Sequence, residues 1–179
     1  MLAEFSHPGH VQPALQLLQS NKIIILPTDS VYAFACKLSN KDGIEKMAQL
    51  KGIRSDKARF SIMCFNLANL ATFSKPISTP YYRLLKQYTP GPFTFILEAS
   101  QLIPKIFLSR RSAIGLRVPE HELLQILIQE LGEPLVVASV PSELNAAPIF
   151  EEWESKVEAV FIQDFIPPGP STVIDLTKK

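Results

Sequence analysis

Short, wholly apolar segments constrain the fold of this chain more than any other feature of its sequence. The run Ile23-Ile24-Ile25-Leu26 is uncharged, mostly β-branched and closed by Pro27, a pattern typical of a strand buried on both faces. Further segments read as strands or apolar runs at 31–36, 60–64, 93–97, 114–118, 135–140, 158–163 and 171–176. So many short apolar runs predict a sheet as the centre of the fold.

Amphipathic segments separate many of these strands. Val11, Leu15 and Leu18 follow helical spacing, and Asn40 can cap the next helix. The predicted helices cover 11–21, 41–51, 79–88, 121–131 and 150–157. Thr79 is the predicted cap of the helix over 79–88, with Pro80 in its first turn, and Gly132 ends the helix over 121–131. Some strands follow one another without a helix between them, so residues 1–179 are predicted to form a single α/β domain with a mixed sheet.

Composition excludes several classes of protein. Hydrophobic residues make up 46% of the 179 residues and charged residues 20%, which excludes a disordered or fibrous chain. Pro (15) outnumbers Gly (7), and no glycine-rich phosphate-binding motif occurs. Cys36 and Cys64 lie in apolar runs and are expected to be buried thiols. No apolar stretch approaches the length of a membrane span, and the N-terminus lacks a signal peptide, so we expect a cytoplasmic protein that does not contact membranes.

Metal and nucleophile motifs are not supported. His121-Glu122 begins a near match to the zinc motif H-E-x-x-H, but Gln125 stands where the second His is needed. No G-x-S-x-G occurs. The acidic residues Glu151, Glu152 and Glu154 are interpreted as a solvated helix face. We therefore predict no metal ligands among the protein's own side chains.

The net charge of +1 conceals an asymmetry, because residues 1–118 carry a net +9 and residues 119–164 a net −9. The basic residues form two groups: Lys46, Lys51, Arg54, Lys57 and Arg59, and then Lys105, Arg110, Arg111 and Arg117. These groups are either ordinary surface charge or an anion site. Arg117 favours the anion site, since it lies in an apolar strand, where an Arg is costly without an anion or a paired carboxylate.

Several motifs in a fixed order resemble the YrdC-like family. They cover about residues 10–177, and each would be weak alone. The motifs are Pro27-Thr28-Asp29-Ser30-Val31-Tyr32, Leu50-Lys51-Gly52-Ile53-Arg54, Thr89-Pro90-Gly91-Pro92-Phe93-Thr94-Phe95, Ile114–Pro119, Pro134–Ser139 and Ser171-Thr172-Val173-Ile174-Asp175. Met63-Cys64 and the ending Val173-Ile174-Asp175-Leu176-Thr177 are similar to the YciO-like branch.

The resemblance implies a fold and an activity. The family fold is a twisted open mixed sheet flanked by helices, with a basic concave cavity. Members are nucleotidyltransferases that convert L-threonine, bicarbonate and ATP, with Mg²⁺, to threonylcarbamoyl-AMP and pyrophosphate. The product serves threonylcarbamoyladenosine formation at position 37 of tRNA by a downstream threonylcarbamoyl transferase complex. Some members bind tRNA or double-stranded RNA, and an RNA- or nucleotide-binding module with weak or no synthase activity is the alternative for this chain.

The resemblance also suggests site residues, each with a plainer alternative. Arg54, Arg117 and Lys51 are the predicted catalytic residues, and Arg117 is the leading candidate. Thr28, Asp29, Tyr32 and Thr94 are predicted at the substrate, although Thr28 and Asp29 also suit a turn, Tyr32 the core and Thr94 an ordinary strand. The predicted nucleotide-binding residues, besides Arg54 and Arg117, are Lys57, Arg59, Ser139, Ser171 and Thr172.

One segment departs from the family pattern. Where relatives carry Ser-Thr-Ser-Ala-Asn, this chain has Val137-Ala138-Ser139-Val140-Pro141. Two hydroxyls and an amide are absent, and Pro141 has no backbone N–H to donate. The departure predicts a weaker polar grip on the nucleotide, and therefore weakened synthase activity.

Overall fold

The computed structural model describes residues 1–108, 112–141, 146–164 and 169–178. Within these residues the strands are β1 (Leu2–Glu4), β2 (Ile24–Leu26), β3 (Ala33–Lys37), β4 (Ser61–Met63), β5 (Phe93–Glu98), β6 (Ala113–Arg117), β7 (Leu135–Ser139), β8 (Ala159–Ile162) and β9 (Thr172–Asp175). The helices are α1 (Val11–Gln19), α2 (Lys41–Leu50), α3 (Leu67–Thr72), α4 (Thr79–Tyr88), α5 (Glu122–Leu131) and α6 (Ala146–Trp153).

All of these strands join one sheet in the order β1-β8-β2-β3-β7-β4-β6-β5-β9. The pairs β2–β3, β3–β7, β4–β7 and β5–β6 are antiparallel, whereas β1–β8, β2–β8, β4–β6 and β5–β9 are parallel. The predicted α/β class with a mixed sheet is therefore confirmed. No helix in the described part of the chain is long and apolar enough to cross a membrane.

The two faces of the sheet are covered unequally. On one face a large core, which includes Phe34, Ile62 and Leu116, extends across the sheet. On the other face α1 and α5 pack their leucines against side chains of β2, β3, β7 and β8, together with Met63 of β4. Among the described residues, none from β5, β6 or β9 belongs to this second core. The second face is thus open over one half of the sheet.

Most predicted elements are observed, and the differences have local causes. The sequence did not predict β1 or α3, because three residues of strand or six of helix give too little periodicity to recognise. The last helix is Ala146–Trp153 rather than 150–157. The cap of α4 is Ser78 rather than Thr79, which is already helical. Arg110 and Arg111 of the second basic group lie outside the described residues.

Candidate anion-binding site

A pocket of about 400 Å³ lies over the open half of the sheet. Because side chains alternate along a strand, the register places Ser61, Val137 and Arg117 on the same face as Thr94 and Ser139. The polar and charged side chains lining the pocket are Thr28, Ser30, Lys51, Lys57, Arg59, Ser61, Thr94, Arg117, Ser139 and Ser171. No carboxylate lines it within the described residues, so the pocket offers hydroxyls and cations.

The loop between β2 and β3 forms one end of the pocket. The Thr28 hydroxyl donates to the Val31 carbonyl oxygen (2.6 Å) and accepts from the Ser30 N–H (3.0 Å). Thr28 is thus a buried residue whose hydroxyl stabilises a turn, which was the alternative to a site role, and it also lines the pocket. The turn directs the Ser30 hydroxyl to Arg117, whose Nη1 donates to it (3.1 Å).

Arg117 and Asp29 form a buried ion pair beneath this end of the pocket. The second carboxylate oxygen of Asp29 accepts from the Glu120 N–H (2.8 Å), and Asp29 does not line the pocket. Burial lowers the pKa of Arg117, and the Asp29 charge opposes that shift. Nε of Arg117 is buried without a hydrogen-bond partner. Asp29 therefore neutralises Arg117 and joins two loops, and Arg117 reaches the pocket as a charge-compensated donor.

Lys51 closes the pocket from the end of α2. Its Nζ donates to the Ser139 carbonyl oxygen (2.7 Å) and lies 3.3 Å from the Ser139 hydroxyl. Burial lowers the pKa of Lys51 below its ordinary value. The lysine thus joins α2 to the end of β7 and holds its charge at the pocket wall, near the more exposed Lys57 and Arg59.

At the far wall, β5 and β9 bring two hydroxyls together. Thr94 and Ser171 are 2.8 Å apart, oxygen to oxygen, across these strands. The neighbouring Thr172 is exposed and does not line the pocket, because its side chain points to the other face of β9. Of this predicted pair, the structure therefore brings only Ser171 to the site.

Two other predicted residues lie away from the pocket lining. Arg54 points outward and binds both carboxylate oxygens of Asp56 (3.0 and 3.1 Å), while Ile53 lines the pocket. Tyr32 is buried and donates its hydroxyl to the Gln163 carbonyl oxygen (3.3 Å), and burial raises its pKa. Tyr32 thus follows the plainer alternative of a core residue.

Sequence reasoning missed several pocket residues. Ser30 and Ser61 were not singled out, although Ser61 begins a strand with Met63 on the same face.

A smaller, mainly apolar cavity of about 270 Å³ adjoins the pocket and shares Arg59, Ser61 and Thr94 with it. Gly115 forms part of its floor, where an added Cβ would lie 3.0 Å from Cγ2 of Thr94. Only the strand register reveals these positions, because it places distant residues side by side.

Comparison with known proteins places this architecture in a family. The profile of the Sua5/YciO/YrdC family, described as "Telomere recombination", matches residues 16–179. The chain is 32% identical to the uncharacterized protein YciO of Escherichia coli, over 97% of this chain and 89% of that protein. The crystal structure of E. coli YciO superposes with a TM-score of 0.88 at 30% identity, over 99% of this chain and 89% of that one.

More distant relatives carry a functional name. Threonylcarbamoyl-AMP synthase of Pyrococcus abyssi is 25% identical over 94% of this chain, and this chain spans 51% of its length. The structure of P. abyssi Sua5 complexed with L-threonine has a TM-score of 0.89 at 24% identity, over 99% of this chain and 55% of that one. At this identity the superposition establishes a shared fold.

Proposed function

The chain belongs to the Sua5/YciO/YrdC family, and on that premise we propose that its pocket binds L-threonine and ATP and forms threonylcarbamoyl-AMP. The family resemblance noted in the sequence is confirmed by the profile match and by the superposition on YciO. The activity is a proposal that draws on the more distant synthases. Bicarbonate is the third substrate, and ATP enters as its Mg²⁺ complex.

The observation that carries this proposal is the charge of the pocket. Lys51, Lys57 and Arg59 line it, and none of them forms an ion pair within the part of the chain that the structure describes. Hydroxyls from five separate segments line the same space, and no carboxylate of the described residues does. Such a site favours ligands with several anionic oxygens, such as a triphosphate together with an amino-acid carboxylate.

The reaction needs alignment and charge stabilisation rather than a protein nucleophile. The threonine amine adds to carbon dioxide, supplied by bicarbonate, and loses a proton to give a carbamate. A carbamate oxygen then attacks the α-phosphorus of ATP. The bond from that phosphorus to the bridging oxygen breaks, and the electron pair leaves with pyrophosphate. Held cations stabilise the charge on the phosphates, and a pocket that orients both substrates makes the attack effectively unimolecular.

The proposed roles divide by charge. Lys51, Lys57 and Arg59 supply uncompensated positive charge for the phosphates. Arg117 donates hydrogen bonds, since Asp29 balances its charge. The Thr94 and Ser171 hydroxyls, which bond each other at 2.8 Å, are available to the amino acid or the ribose. The Mg²⁺ ion is held by the phosphates of ATP, because the described lining offers no carboxylate to it.

A second candidate function is a nucleotide- or RNA-binding module without synthase activity. Val137 presents an apolar side chain to the pocket, the Ala138 side chain lies in the core on the opposite face of the sheet, and Lys51 donates to the Ser139 backbone. The first and third of these features reduce the polar groups available to a nucleotide at this wall. In this alternative the product would not be made, and tRNA or double-stranded RNA would be the partner.

Pyrophosphate release separates the two functions. We expect release that requires ATP, L-threonine and bicarbonate together, and that falls at least tenfold in a Lys57→Ala/Arg59→Ala variant, which loses two pocket cations. Arg83→Ala/Lys86→Ala, which removes two exposed cations from α4, is the matched control. The variant Val137→Ser/Ala138→Thr/Pro141→Asn is expected to raise the rate. If the folded protein binds ATP but releases no pyrophosphate, the synthase proposal is wrong and the binding module is the supported function.

A further inference from the structure

Lys51 differs from the other lysines of the described residues in where it lies. Among them only Lys37 and Lys51 are partly buried, and only Lys51 of these two lines the pocket. We propose that carbon dioxide reversibly carbamylates the Lys51 Nζ, so that bicarbonate regulates the charge of the pocket. The modification follows from the surroundings of Lys51, whereas its effect on ATP rests on the function proposed above.

The contacts of Lys51 favour a neutral amine. Its Nζ donates to the Ser139 carbonyl oxygen (2.7 Å) and lies 3.3 Å from the Ser139 hydroxyl. No carboxylate of the described residues lies within ion-pair distance of it. Protonation is therefore not stabilised by an opposite charge, and burial lowers the pKa of the amine. The neutral, nucleophilic form is thus more abundant here than at a lysine of ordinary pKa.

The reaction is an addition that needs no further reagent. The lone pair of the neutral Nζ attacks the carbon of carbon dioxide, a nitrogen–carbon bond forms, and one carbon–oxygen π pair moves to oxygen. The nitrogen then loses a proton to water, which leaves a carbamate anion. Carbon dioxide is in equilibrium with bicarbonate, the third substrate proposed for this pocket. Acid reverses the reaction, because a carbamate that is protonated on nitrogen releases carbon dioxide.

The pocket can stabilise the carbamate once it has formed. Lys57, Arg59 and Arg117 line the same space, and no carboxylate of the described residues does. Their N–H groups are suited to donate to the new carboxylate oxygens, as is the hydroxyl of Ser139. The carbamate nitrogen keeps one N–H, which can still donate to the Ser139 carbonyl oxygen. The pocket thus provides an anion-binding environment for a group that forms on its own lysine.

Carbamylation inverts the charge of Lys51. Lys51, Lys57 and Arg59 are the three uncompensated cations of the described lining, since Asp29 balances Arg117. A carbamate on Lys51 replaces one of these positive charges by a negative charge. ATP, which carries several negative charges, is therefore expected to bind less tightly when bicarbonate is abundant. In this way one substrate of the proposed reaction limits the binding of another.

Isotope labelling tests the modification itself. The full chain is equilibrated with isotopically labelled bicarbonate, treated with a trialkyloxonium reagent that esterifies the labile carbamate, and digested for mass spectrometry. We expect the label on Lys51 and its loss in Lys51→Arg, because a guanidinium stays protonated.

The chain offers a matched control for this experiment. Lys37 is also partly buried and also donates to a carbonyl oxygen, that of Gln19 (3.4 Å), but it does not line the pocket. The variant Lys37→Arg is therefore expected to keep the full label on Lys51.

ATP affinity tests the consequence for the pocket. Calorimetry without L-threonine compares ATP binding at low and high bicarbonate, with chloride keeping the ionic strength constant. We expect bicarbonate to weaken ATP binding by about threefold or more in the wild type, and to have no such effect in Lys51→Arg. The control Lys37→Arg is expected to respond as the wild type does.

Three results would overturn the proposal. Absence of label from Lys51 would exclude the modification, even in a protein that releases pyrophosphate. Equal label on Lys37 and Lys51 would show that the pocket does not promote the reaction. An equal loss of ATP affinity in wild type and Lys51→Arg would show that bicarbonate occupies the pocket without modifying Lys51. The labelling result does not depend on pyrophosphate release, so this proposal and the synthase proposal fail separately.

Discussion

The described part of the chain contains two arginine–aspartate pairs, and the fold treats them in opposite ways. Arg117 and Asp29 are 88 residues apart, and their side chains are 5% and 7% exposed. Arg54 and Asp56 are two residues apart, and the Arg54 side chain is 71% exposed. The first pair joins the β2–β3 loop to β6, and the second lies within a single turn.

The difference shows what burial adds to a charge. When an ion pair is buried, each charge is stabilised mainly by its partner, so removal of one partner leaves the other as an uncompensated buried charge. In water the same contact contributes little, because solvent already stabilises both ions. Lys51 lies between these cases, since it is half-buried and hydrogen-bonded to a carbonyl oxygen rather than to a carboxylate. The three residues thus form a series from buried to exposed, and the predictions follow that order.

The largest effect is expected at the buried pair. Arg117→Met removes the guanidinium and leaves the Asp29 carboxylate buried, so the free energy of unfolding is expected to fall by about 3–5 kcal/mol. Urea denaturation measures this loss. The double variant Arg117→Met/Asp29→Asn removes both charges and is expected to be more stable than the single variant. A single variant that loses less than about 1 kcal/mol would contradict the assigned role of the pair.

An intermediate effect is expected at Lys51, through its dependence on pH. Because burial lowers the Lys51 pKa below the 10.5 of an exposed lysine, the amine loses its charge at a lower pH than exposed lysines do. ATP affinity, measured by calorimetry, is therefore expected to fall on the alkaline side below pH 10.5. Lys51→Arg is expected to move this fall to higher pH, since guanidinium stays charged. An alkaline fall at the same pH in both proteins would show that Lys51 does not contact the nucleotide.

The smallest effect is expected at the exposed pair. Arg54→Ala is expected to change the free energy of unfolding by no more than about 0.5 kcal/mol, and to change ATP affinity by less than about twofold, since its side chain lies outside the pocket lining. Arg59→Ala serves as the comparison, because Arg59 is also exposed but lines the pocket. A greater loss of ATP affinity in Arg54→Ala than in Arg59→Ala would reverse this order.

The sequence predicted the fold better than the site, for a physical reason. Buried strands such as Ile24–Leu26 and amphipathic helices such as Glu122–Leu131 depend on local patterns of apolar residues, which can be read along the chain. The strand Leu2–Glu4 lacks such a pattern and exists because β8 offers a parallel partner. Elements that depend on distant pairing cannot be predicted from local sequence.

The site residues show the same limit more sharply. Thr28, Lys51 and Arg117 were predicted from motifs and lie together at the pocket. Arg54 comes from one of the same motifs but points away, because the backbone after α2 turns Ile53 toward the pocket instead. Ser61 was missed, since a lone serine at the start of a strand carries no signal until the register places it beside Gly115. A sequence motif indicates which segments lie near a site, and the direction of each side chain decides which residues of the motif line it.

The position of β8 between β1 and β2 has a consequence for synthesis of the chain on the ribosome. Leu2 pairs with Val160, and Ile25 pairs with the same residue from the other side. Strand β1 and one edge of β2 therefore remain unpaired until β8, which is made much later, has emerged. During translation the apolar strand Ile24–Leu26 has an unsatisfied edge of the kind that recruits other chains. Formation of β8 therefore removes an edge that would otherwise favour association with other chains.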